Sequence, residues 1–261
     1  MADVMDYRNL FNLTGRNALV VGGGSGIGEG VCYGYADFGA NVAVIDLDFA
    51  AAEKVSVELK EKGVGSIAIQ CDVRDSDSVR RAVEKAATHY PTIDILFNSA
   101  GIGMRHSLED MPNDFFDAVV KTNLYGVFYF CREAGARMIQ QGHGGRIINM
   151  ASISAHIGIP NTVNYCASKG GVVSFSRCLA TEWACHGINV NTISPSHIRT
   201  AMIQKVIEQD PSKEIFFKNN ILLGRIGEVA DIVGAAIFLA SDAGNFITGT
   251  SLIVDGGHSA R

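Results

Sequence analysis

The fold is decided by residues 17–28, whose sequence is NALVVGGGSGIG. The apolar run at 17–21 predicts a buried strand, and a helical periodicity begins after the glycines. Glycines between a strand and a helix let the backbone approach a pyrophosphate, which the helix N-terminus then stabilises. The register is G-x-x-x-G-x-G, from Gly22, Gly26 and Gly28, and G-x-G-x-x-G does not occur here. The stretch predicts the first unit of a dinucleotide-binding sheet.

The same alternation of strand and helix continues along the chain. Helices are predicted at 49–62 and 76–90, and Pro91 ends the second. Strands are predicted at 17–21, 41–45, 66–71, 94–97, 146–150, 188–193 and 251–254. Strands rich in Val, Ile and Leu that alternate with helices are parallel and buried on both faces. We expect one α/β domain over 1–261, a Rossmann-type doubly wound sheet of about seven parallel strands flanked by helices.

Composition and charge exclude several functional classes. Of 261 residues, 47% are hydrophobic and 19% charged, which is ordinary for a globular protein. The net charge of -5, without a basic cluster, disfavours nucleic acid as a partner. No apolar stretch reaches the roughly 18 residues of a membrane span. Residues 1–16 lack the basic start and apolar run of a signal peptide. We therefore expect a cytoplasmic protein with no membrane partner.

The cysteines and histidines show no metal-binding pattern. The six cysteines are dispersed through apolar segments without a C-x-x-C pair, so we expect buried free thiols. The seven histidines show no H-x-x-x-H spacing on a helix. The sequence therefore predicts no metal site.

Acidic residues follow the second and third predicted strands. Asp46 stands 18 residues after Gly28, where a carboxylate accepts hydrogen bonds from the adenosine ribose hydroxyls and repels a 2′-phosphate. Leu47 follows in place of an arginine, so NAD is favoured over NADP. Asp72, followed by Val73, is a candidate contact for the adenine amino group. The alternatives are a solvated aspartate at Asp46 and an ordinary turn residue at Asp72.

Tyr165 and Lys169 are four residues apart in a helical pattern and share one helix face. An ammonium beside a phenol favours the phenolate. Lowering a tyrosine pKa from about 10 by roughly three units corresponds to about 4 kcal/mol. Ser152 follows the strand 146–150 and precedes Tyr165 by 13 residues. These residue types in this order predict a proton-transfer site, although the tyrosine–lysine spacing alone proves little.

Over nearly its whole length the sequence resembles a classical short-chain dehydrogenase/reductase. The glycine turn matches the family pattern except that Val21 replaces a threonine. Asn98-Ser99-Ala100-Gly101 is similar to N-N-A-G, and residues 195–200 resemble P-G-x-x-x-T with Ser196 in place of the glycine. The family's four catalytic positions are occupied without substitution by Asn123, Ser152, Tyr165 and Lys169.

The resemblance implies a role for each of these residues. Tyr165 would be the general base in oxidation and the acid in reduction, and Ser152 would hold the reacting oxygen. Lys169 would bind the nicotinamide ribose and lower the pKa of Tyr165, while Asn123 would bend its helix and carry a proton-relaying water. The expected cofactor contacts are Gly22, Ser25, Gly26, Ile27, Gly28, Asp46, Leu47, Asp72, Val73, Asn98, Ala100, Gly101, Tyr165, Lys169, Pro195, Ile198 and Thr200. The resemblance also implies a homotetramer.

Residues 194–227 form a long irregular stretch with a helical pattern at 201–209, and we expect this stretch to be a substrate lid. Six polar residues are candidates for a small-molecule substrate: Arg105, His106, Ser154, His156, His197 and Arg199. Such side chains donate hydrogen bonds to oxygens, which suggests a sugar, polyol or sugar acid. The alternatives are an NADPH-dependent ketoreductase of a non-sugar carbonyl compound and a non-catalytic dinucleotide sensor.

Overall fold

The computed structural model describes residues 6–260, which form one parallel sheet with helices on both faces. Its strands are β1 Asn17–Val21, β2 Asn41–Asp46, β3 Ser66–Gln70, β4 Ile95–Asn98, β5 Gly145–Met150, β6 Ile188–Pro195 and β7 Ser251–Val254. They lie in the order β3-β2-β1-β4-β5-β6-β7. The predicted doubly wound fold is confirmed. The chain changes direction across the sheet between β1 and β4, where such sheets open a ligand crevice.

Nine α-helices in residues 6–260 surround the sheet. They are α1 Gly26–Asp37, α2 Phe49–Glu61, α3 Ser76–His89, α4 Asn113–Val120, α5 Gly126–Gln141, α6 Val163–Trp183, α7 Ala201–Gln209, α8 Ser212–Asn220 and α9 Val229–Ala240. A π-helical turn, Lys121–Tyr125, joins α4 to α5. Helices α1 and α9 pack closely, because a Cβ atom at Gly30 would lie 2.2 Å from Val229 Cγ1. This contact fixes α1, and with it the glycine turn.

The sheet is buried on both faces, which explains the continuous apolar runs. Leu19, Ile45 and Leu96 point into the core shared with α3, α5 and α6. Val20 and Val44, which alternate with them along β1 and β2, point into the core shared with α1, α2 and α9. Successive side chains of a strand face opposite sides, so strands β1 to β6 contribute to both cores, whereas β7 contributes Leu252 and Val254 to the second core only.

The segment after β6 contains one more helix than predicted. The helix expected at 201–209 is present as α7, but α8 follows directly. Phe217 of α8 packs with Ile207 of α7 and with Ile226 in a small separate core. The amphipathic pattern of α8 is weak, since both Ile215 and Phe216 are exposed. That weak pattern explains why periodicity did not reveal the helix.

The expectation of buried thiols is correct for half of the cysteines. Cys32, Cys71 and Cys131 are buried, whereas Cys166 is half-buried. Cys178 and Cys185 are exposed, so the expectation of burial is wrong for these two residues. Cys178 belongs to α6, and its apolar surroundings in sequence lie on other faces of that helix.

Residues 6–260 contain neither a membrane-spanning helix nor a cluster of metal ligands. No helix there is long and apolar enough to cross a bilayer. No group of three or more histidine, cysteine or acidic side chains there is arranged to hold a metal ion. The interpretation of residues 1–16 as lacking a signal peptide includes residues 1–5, which lie outside the described residues.

Candidate active site

The glycine turn forms a cradle of bare backbone at the end of β1. A Cβ atom at Gly28 would lie 2.0 Å from the carbonyl oxygen of Gly22. A Cβ atom at Gly22 would lie 2.7 Å from the backbone nitrogen of Ala100, in the loop after β4. The φ angles of Gly22 and Gly26 are 75° and 58°, which glycine adopts without strain. Side chains at Gly22 and Gly28 would collide with the protein's own backbone, so only glycine permits this path of the chain before α1.

Asp46 lies against this turn at the end of β2. Its Oδ2 accepts a hydrogen bond from the backbone N–H of Gly24 at 2.9 Å, and its Oδ1 accepts one from Asp48 at 3.0 Å. The adjoining Leu47 is exposed, as is Ser25, whose side chain makes no cap hydrogen bond to α1. Asp46 thus presents a negative charge at the rim of the cradle.

The residues predicted to meet an adenine lie at the end of β3. The carboxylate of Asp72 receives two close contacts from the Arg74 guanidinium, at 2.9 and 2.7 Å. The Arg74 hydrogen bonds hold the pKa of Asp72 below its usual value. Val73 packs on Gly126 at the start of α5, where a Cβ atom would lie 2.9 Å from the Val73 Cβ.

The loops after β4 and β6 contact the glycine turn through Ala100 and Thr200. Asn98 donates to the side-chain oxygen of Asn149 at 2.8 Å, which ties β4 to β5. Pro195 ends β6, and Ile198 is buried and paired with Gly227. A Cβ atom at Gly26 would lie 3.4 Å from Thr200 Cγ2. The predicted cofactor residues of β1, β4 and β6 therefore meet at one edge of the sheet.

Asn123 lies in the π-helical turn between α4 and α5 and is fully buried. Its side-chain oxygen accepts from the N–H of Ile102 at 2.8 Å, and its Nδ2 donates to the carbonyl oxygen of Ile102 at 2.9 Å. The same Nδ2 donates to the hydroxyl of Ser168 at 3.1 Å. Asn123 thereby fixes the loop after β4 against α6.

Lys169 extends from α6 toward the end of β5. Its Nζ donates to the carbonyl oxygen of Met150 at 2.7 Å and lies 5.7 Å from the centre of the Tyr165 ring. A Cβ atom at Gly101 would lie 3.6 Å from this Nζ. Burial lowers the pKa of Lys169 to about 8, because desolvation disfavours the ammonium form.

Tyr165 lies on α6, one turn before Lys169, and contacts Ser152, which follows β5. Burial raises the pKa of Tyr165, and a hydrogen bond with Ser152 acts in the opposite direction. The expectation of a lowered pKa is therefore not met by the protein chain alone, because desolvation outweighs the hydrogen bond. Ser154 lies beside Ser152 and donates its backbone N–H to the Ser152 hydroxyl at 3.1 Å.

The other predicted substrate residues fall into two groups. Arg105 and His106 lie in the loop that passes Tyr165, since a Cβ atom at Gly103 would lie 3.8 Å from the Tyr165 ring. Arg105 is close enough to His197 to contribute to that residue's lowered pKa.

The second group forms contacts within the fold. The His156 Nε2 lies 3.1 Å from the Ser194 hydroxyl and 3.0 Å from that of Ser251, so it spans β6 and β7. Arg199 pairs with Glu214 and Glu228 at 3.2 and 3.3 Å. The structure therefore places Arg199 in ion pairs of the segment 194–227.

Two groups that complete the cluster are not among the predicted site residues. The carbonyl oxygen of Met150 binds Lys169, and a backbone atom leaves no signal in a sequence. Ser168 bonds both Asn123 and the carbonyl oxygen of Tyr165, the latter at 2.8 Å. Ser168 could have been predicted, because it stands three residues after Tyr165 and therefore shares its helix face.

Comparisons with known proteins show the family to which the chain belongs. A family model described as Enoyl-(Acyl carrier protein) reductase matches residues 21–259. The chain is 39% identical to D-threitol dehydrogenase of Mycolicibacterium smegmatis over 251 residues, which cover 96% of this chain and 95% of that protein. The crystal structure of a short-chain type dehydrogenase/reductase from Mycobacterium marinum superposes with a TM-score of 0.93 at 35% identity, covering 98% of this chain and 100% of that chain.

A gluconate 5-dehydrogenase from Burkholderia cenocepacia, solved in complex with NADP and tartrate, superposes with a TM-score of 0.92 at 32% identity. The match covers 97% of this chain and 98% of that chain. Like the threitol enzyme, this relative is named as an oxidoreductase of a hydroxylated compound. With the family pattern matched along nearly the whole chain, the protein belongs to the short-chain dehydrogenase/reductase family and is an NAD(P)-dependent alcohol or sugar dehydrogenase.

Proposed function

We propose that the protein oxidises a secondary alcohol of a polyol, sugar or sugar acid and passes the hydride to NAD. The observation that carries this proposal is the cluster of Ser152, Tyr165 and Lys169 beside Gly101. The cluster adjoins the crevice where β1 and β4 diverge, at the edge of the sheet that also carries the glycine cradle. A hydroxyl substrate and a nicotinamide can meet there.

The glycine turn fits a dinucleotide, since only glycines allow the close backbone approaches that bring this turn to the start of α1, where a pyrophosphate would bind. Asp46 would hold the adenosine ribose, and Asp72 and Val73 would border the adenine. The phosphates would lie on Gly22, Ser25, Gly26, Ile27 and Gly28. The nicotinamide half would lie among Asn98, Ala100, Gly101, Tyr165, Lys169, Pro195, Ile198 and Thr200. When bound, the nicotinamide ring takes up or returns a hydride.

The protein's own side chains move the proton and hold the reacting oxygen. Tyr165 removes the hydroxyl proton in oxidation and returns it in reduction. Ser152 donates a hydrogen bond to the reacting oxygen and stabilises charge that develops on it. Lys169 favours the phenolate when it is an ammonium, and Asn123 keeps the loop after β4 in place. The raised pKa of Tyr165 makes it a phenol before catalysis. In oxidation the phenol must first give its own proton to solvent, which a charged Lys169 favours, and the phenolate then takes the proton of the substrate hydroxyl.

We base the preference for NAD on Asp46. A carboxylate already bonded to the Gly24 N–H lies at the rim of the cradle, and a 2′-phosphate would meet its charge. Leu47 supplies no positive charge to offset this repulsion. The related gluconate 5-dehydrogenase was solved with NADP, so the preference for NAD proposed here rests on this chain's own Asp46 and Leu47.

The substrate class rests on the polar side chains around Tyr165. Arg105, His106 and Ser154 lie on loops beside Tyr165 and Ser152, and each can donate a hydrogen bond to a substrate oxygen. The M. smegmatis relative is named for threitol, a polyol. A hydroxylated substrate can accept hydrogen bonds from these polar side chains at several oxygens, whereas an apolar ketone cannot.

A panel of polyols, sugars, sugar acids, sulfonated sugars and apolar secondary alcohols tests the proposal. Reduction of NAD and of NADP is followed by absorbance, and the reverse reaction is measured with NADH and NADPH. Turnover of a hydroxylated compound with NAD is expected. Turnover of apolar ketones or steroids alone would contradict the substrate class. A strict requirement for NADPH would favour the ketoreductase alternative, and binding without turnover would favour the sensor.

We propose further that residues 194–227 close over the substrate and that the protein is a homotetramer. Both α7 and α8 lie in this segment, whose first residues approach the glycine turn through Thr200. The exposed aromatics Tyr125 and Phe128 of the α5 region, and Phe246 before β7, are candidates for subunit contacts. Light scattering after gel filtration measures the oligomeric state. A cytoplasmic location stays a prediction.

A further inference from the structure

The turn after β7 is held by the carboxylate of Asp255. Its Oδ1 accepts a hydrogen bond from the N–H of Gly257 at 2.8 Å. Its Oδ2 accepts one from the N–H of Ser259 at 2.7 Å and another from the Ser259 hydroxyl at 2.6 Å. Gly256 and Gly257 supply the φ angles of 62° and 86° that the turn requires. These contacts give His258 a defined position.

His258 binds the first part of the segment 194–227. Its Nδ1 lies 2.7 Å from the hydroxyl oxygen of Ser196. Ser196 directly follows β6 and stands where the family pattern has glycine, so the hydroxyl is a feature of this chain. The bond joins the C-terminal turn to the loop that leads to Ile198 and Thr200.

The last part of the same segment packs on the same turn. The N–H of Leu223 donates to the carbonyl oxygen of Gly256 at 3.1 Å. A Cβ atom at Gly256 would lie 2.7 Å from Ile221 Cγ2, and one at Gly257 would lie 2.8 Å from Leu222 Cδ1. Both ends of the segment that carries α7 and α8 therefore contact the turn at 255–259.

His197 connects the loop to helix α8. Its ring stacks on Phe217 with 3.9 Å between centres and lies 5.6 Å from the ring of His258. Burial, His258 and Arg105 lower the pKa of His197 to about 4, so its ring is uncharged at neutral pH. The stacked pair of His197 and Phe217 therefore joins the loop after β6 to α8.

A cavity of about 150 Å³ separates these elements, lined in part by Ser196, His197, Ile221, Leu223 and Gly256. The residues around this cavity are incompletely packed. The hydrogen bond between Ser196 and His258 therefore adds to the close approach of Ile221 and Leu222 to the turn.

We propose that residues 255–259, here called the C-terminal clasp, hold both ends of the segment 194–227. His258 is a positioning residue that acts through Ser196 on the loop at 195–200. The part of this proposal that concerns NAD rests on the proposed function, in which that loop borders the nicotinamide. The clasp keeps the loop ready for the cofactor, so its loss weakens NAD binding and leaves the proton-transfer residues in place.

Limited trypsin digestion tests the clasp without cofactor or substrate. The segment offers cleavage sites after the exposed Lys205 of α7 and the half-buried Lys213 of α8. Ser196→Ala and His258→Phe should each speed cleavage by about 3- to 10-fold, the range that loss of one typical hydrogen bond produces. His258→Asn places an amide where Nδ1 was and should retain protection. His186→Phe, an exposed histidine after α6, is the control.

Kinetics and direct NADH binding test the functional consequence. In His258→Phe, the KM for NAD and the Kd for NADH should rise by about 3- to 10-fold while kcat stays within about twofold. The double variant Ser196→Ala, His258→Phe should show no larger effect than either single variant, because both remove the same bond.

Three results would overturn the clasp. These are unchanged cleavage in both single variants, additive effects in the double variant, or a lowered melting temperature with unchanged cleavage and NADH binding. If the unaltered protein fails to bind NADH, the proposed function and the effect on NAD fall together, while digestion still decides whether the clasp holds the segment.

Discussion

The two ionisable residues at the centre of the site are both shifted by burial toward their uncharged forms. The pKa of Tyr165 is raised and that of Lys169 is lowered to about 8. Each shift has the same cause, because removing water disfavours a charge whatever its sign. The resting Tyr165 therefore carries a proton that it can donate to a carbonyl oxygen in reduction. In oxidation it must first lose that proton to solvent, which a charged Lys169 favours, before it accepts the proton of a substrate hydroxyl.

Tyr165→Phe tests the assigned proton transfer. Without the phenol, turnover should fall by about 10²- to 10⁴-fold, since no other group takes the hydroxyl proton. NADH binding should persist, because the remaining cofactor contacts are untouched. Tyr129→Phe on α5 is the control and should leave turnover unchanged. Full activity in Tyr165→Phe would refute the role.

Asp46→Asn tests the origin of cofactor preference. The amide oxygen can still accept the Gly24 N–H, but the negative charge is gone. The ratio of kcat/KM for NAD to that for NADP should fall by about tenfold, which is about 1.4 kcal/mol. Asp48→Asn removes a neighbouring charge at the start of α2 and should leave the ratio unchanged. An unaltered ratio in Asp46→Asn would place the preference elsewhere.

Among the elements, the turn between β1 and α1 is held in a path that only glycine permits. The carbonyl of Gly22 occupies the place of a Cβ atom at Gly28, and the backbone of Ala100 occupies that of one at Gly22. Helix α1 can begin beside the crevice because Gly22 and Gly28 carry no side chains that would block these backbone contacts. Its packing on α9 through Gly30 then prevents the turn from shifting.

Gly28→Ala should therefore disrupt the turn. A contact of 2.0 Å must be relieved by moving the backbone, so NADH binding should be lost and the free energy of unfolding should fall by about 1–3 kcal/mol. Gly158→Ala meets nothing within 4 Å and should change neither quantity. Urea unfolding and NADH titration measure both. Normal NADH binding in Gly28→Ala would show that the turn is not the phosphate cradle.

At the scale of the whole molecule, contacts between distant parts of the chain determine how the protein responds to acid. His197 stays uncharged in the folded state down to a pKa of about 4, whereas its ordinary value is 6.5. Between these values the unfolded chain binds the proton and the folded chain does not. Folding stability therefore rises with pH across this window and falls as the solution is acidified.

His197→Phe should flatten this dependence while keeping the ring stacked on Phe217. In the unaltered protein, His197 should contribute a slope of at most about 1.4 kcal/mol per pH unit between pH 4 and 6.5. Asp231, whose pKa the Arg225 pair lowers to about 2, loses its contribution only at lower pH. Urea unfolding at a series of pH values measures the slope, and an identical slope in the variant would contradict the assignment.

The sequence by itself determined the parallel sheet, the glycine turn and the order of the four candidate catalytic residues. These three features depend on hydrophobic periodicity or on the spacing of residues close in sequence. The regular geometry of strands and helices sets where such residues lie in the structure. The bounds of the observed strands accordingly differ from the predicted ones by no more than one or two residues.

Only the tertiary structure decided which polar residues are available for chemistry. Arg199 is drawn into ion pairs with Glu214 and Glu228, and Ser196 meets His258 across 62 residues of chain. The pKa of Tyr165 is likewise raised because burial outweighs the hydrogen bond with Ser152, and that burial depends on several elements at once. Such contacts join residues far apart in sequence, so no local pattern encodes them, and the packed sheet alone brings them together.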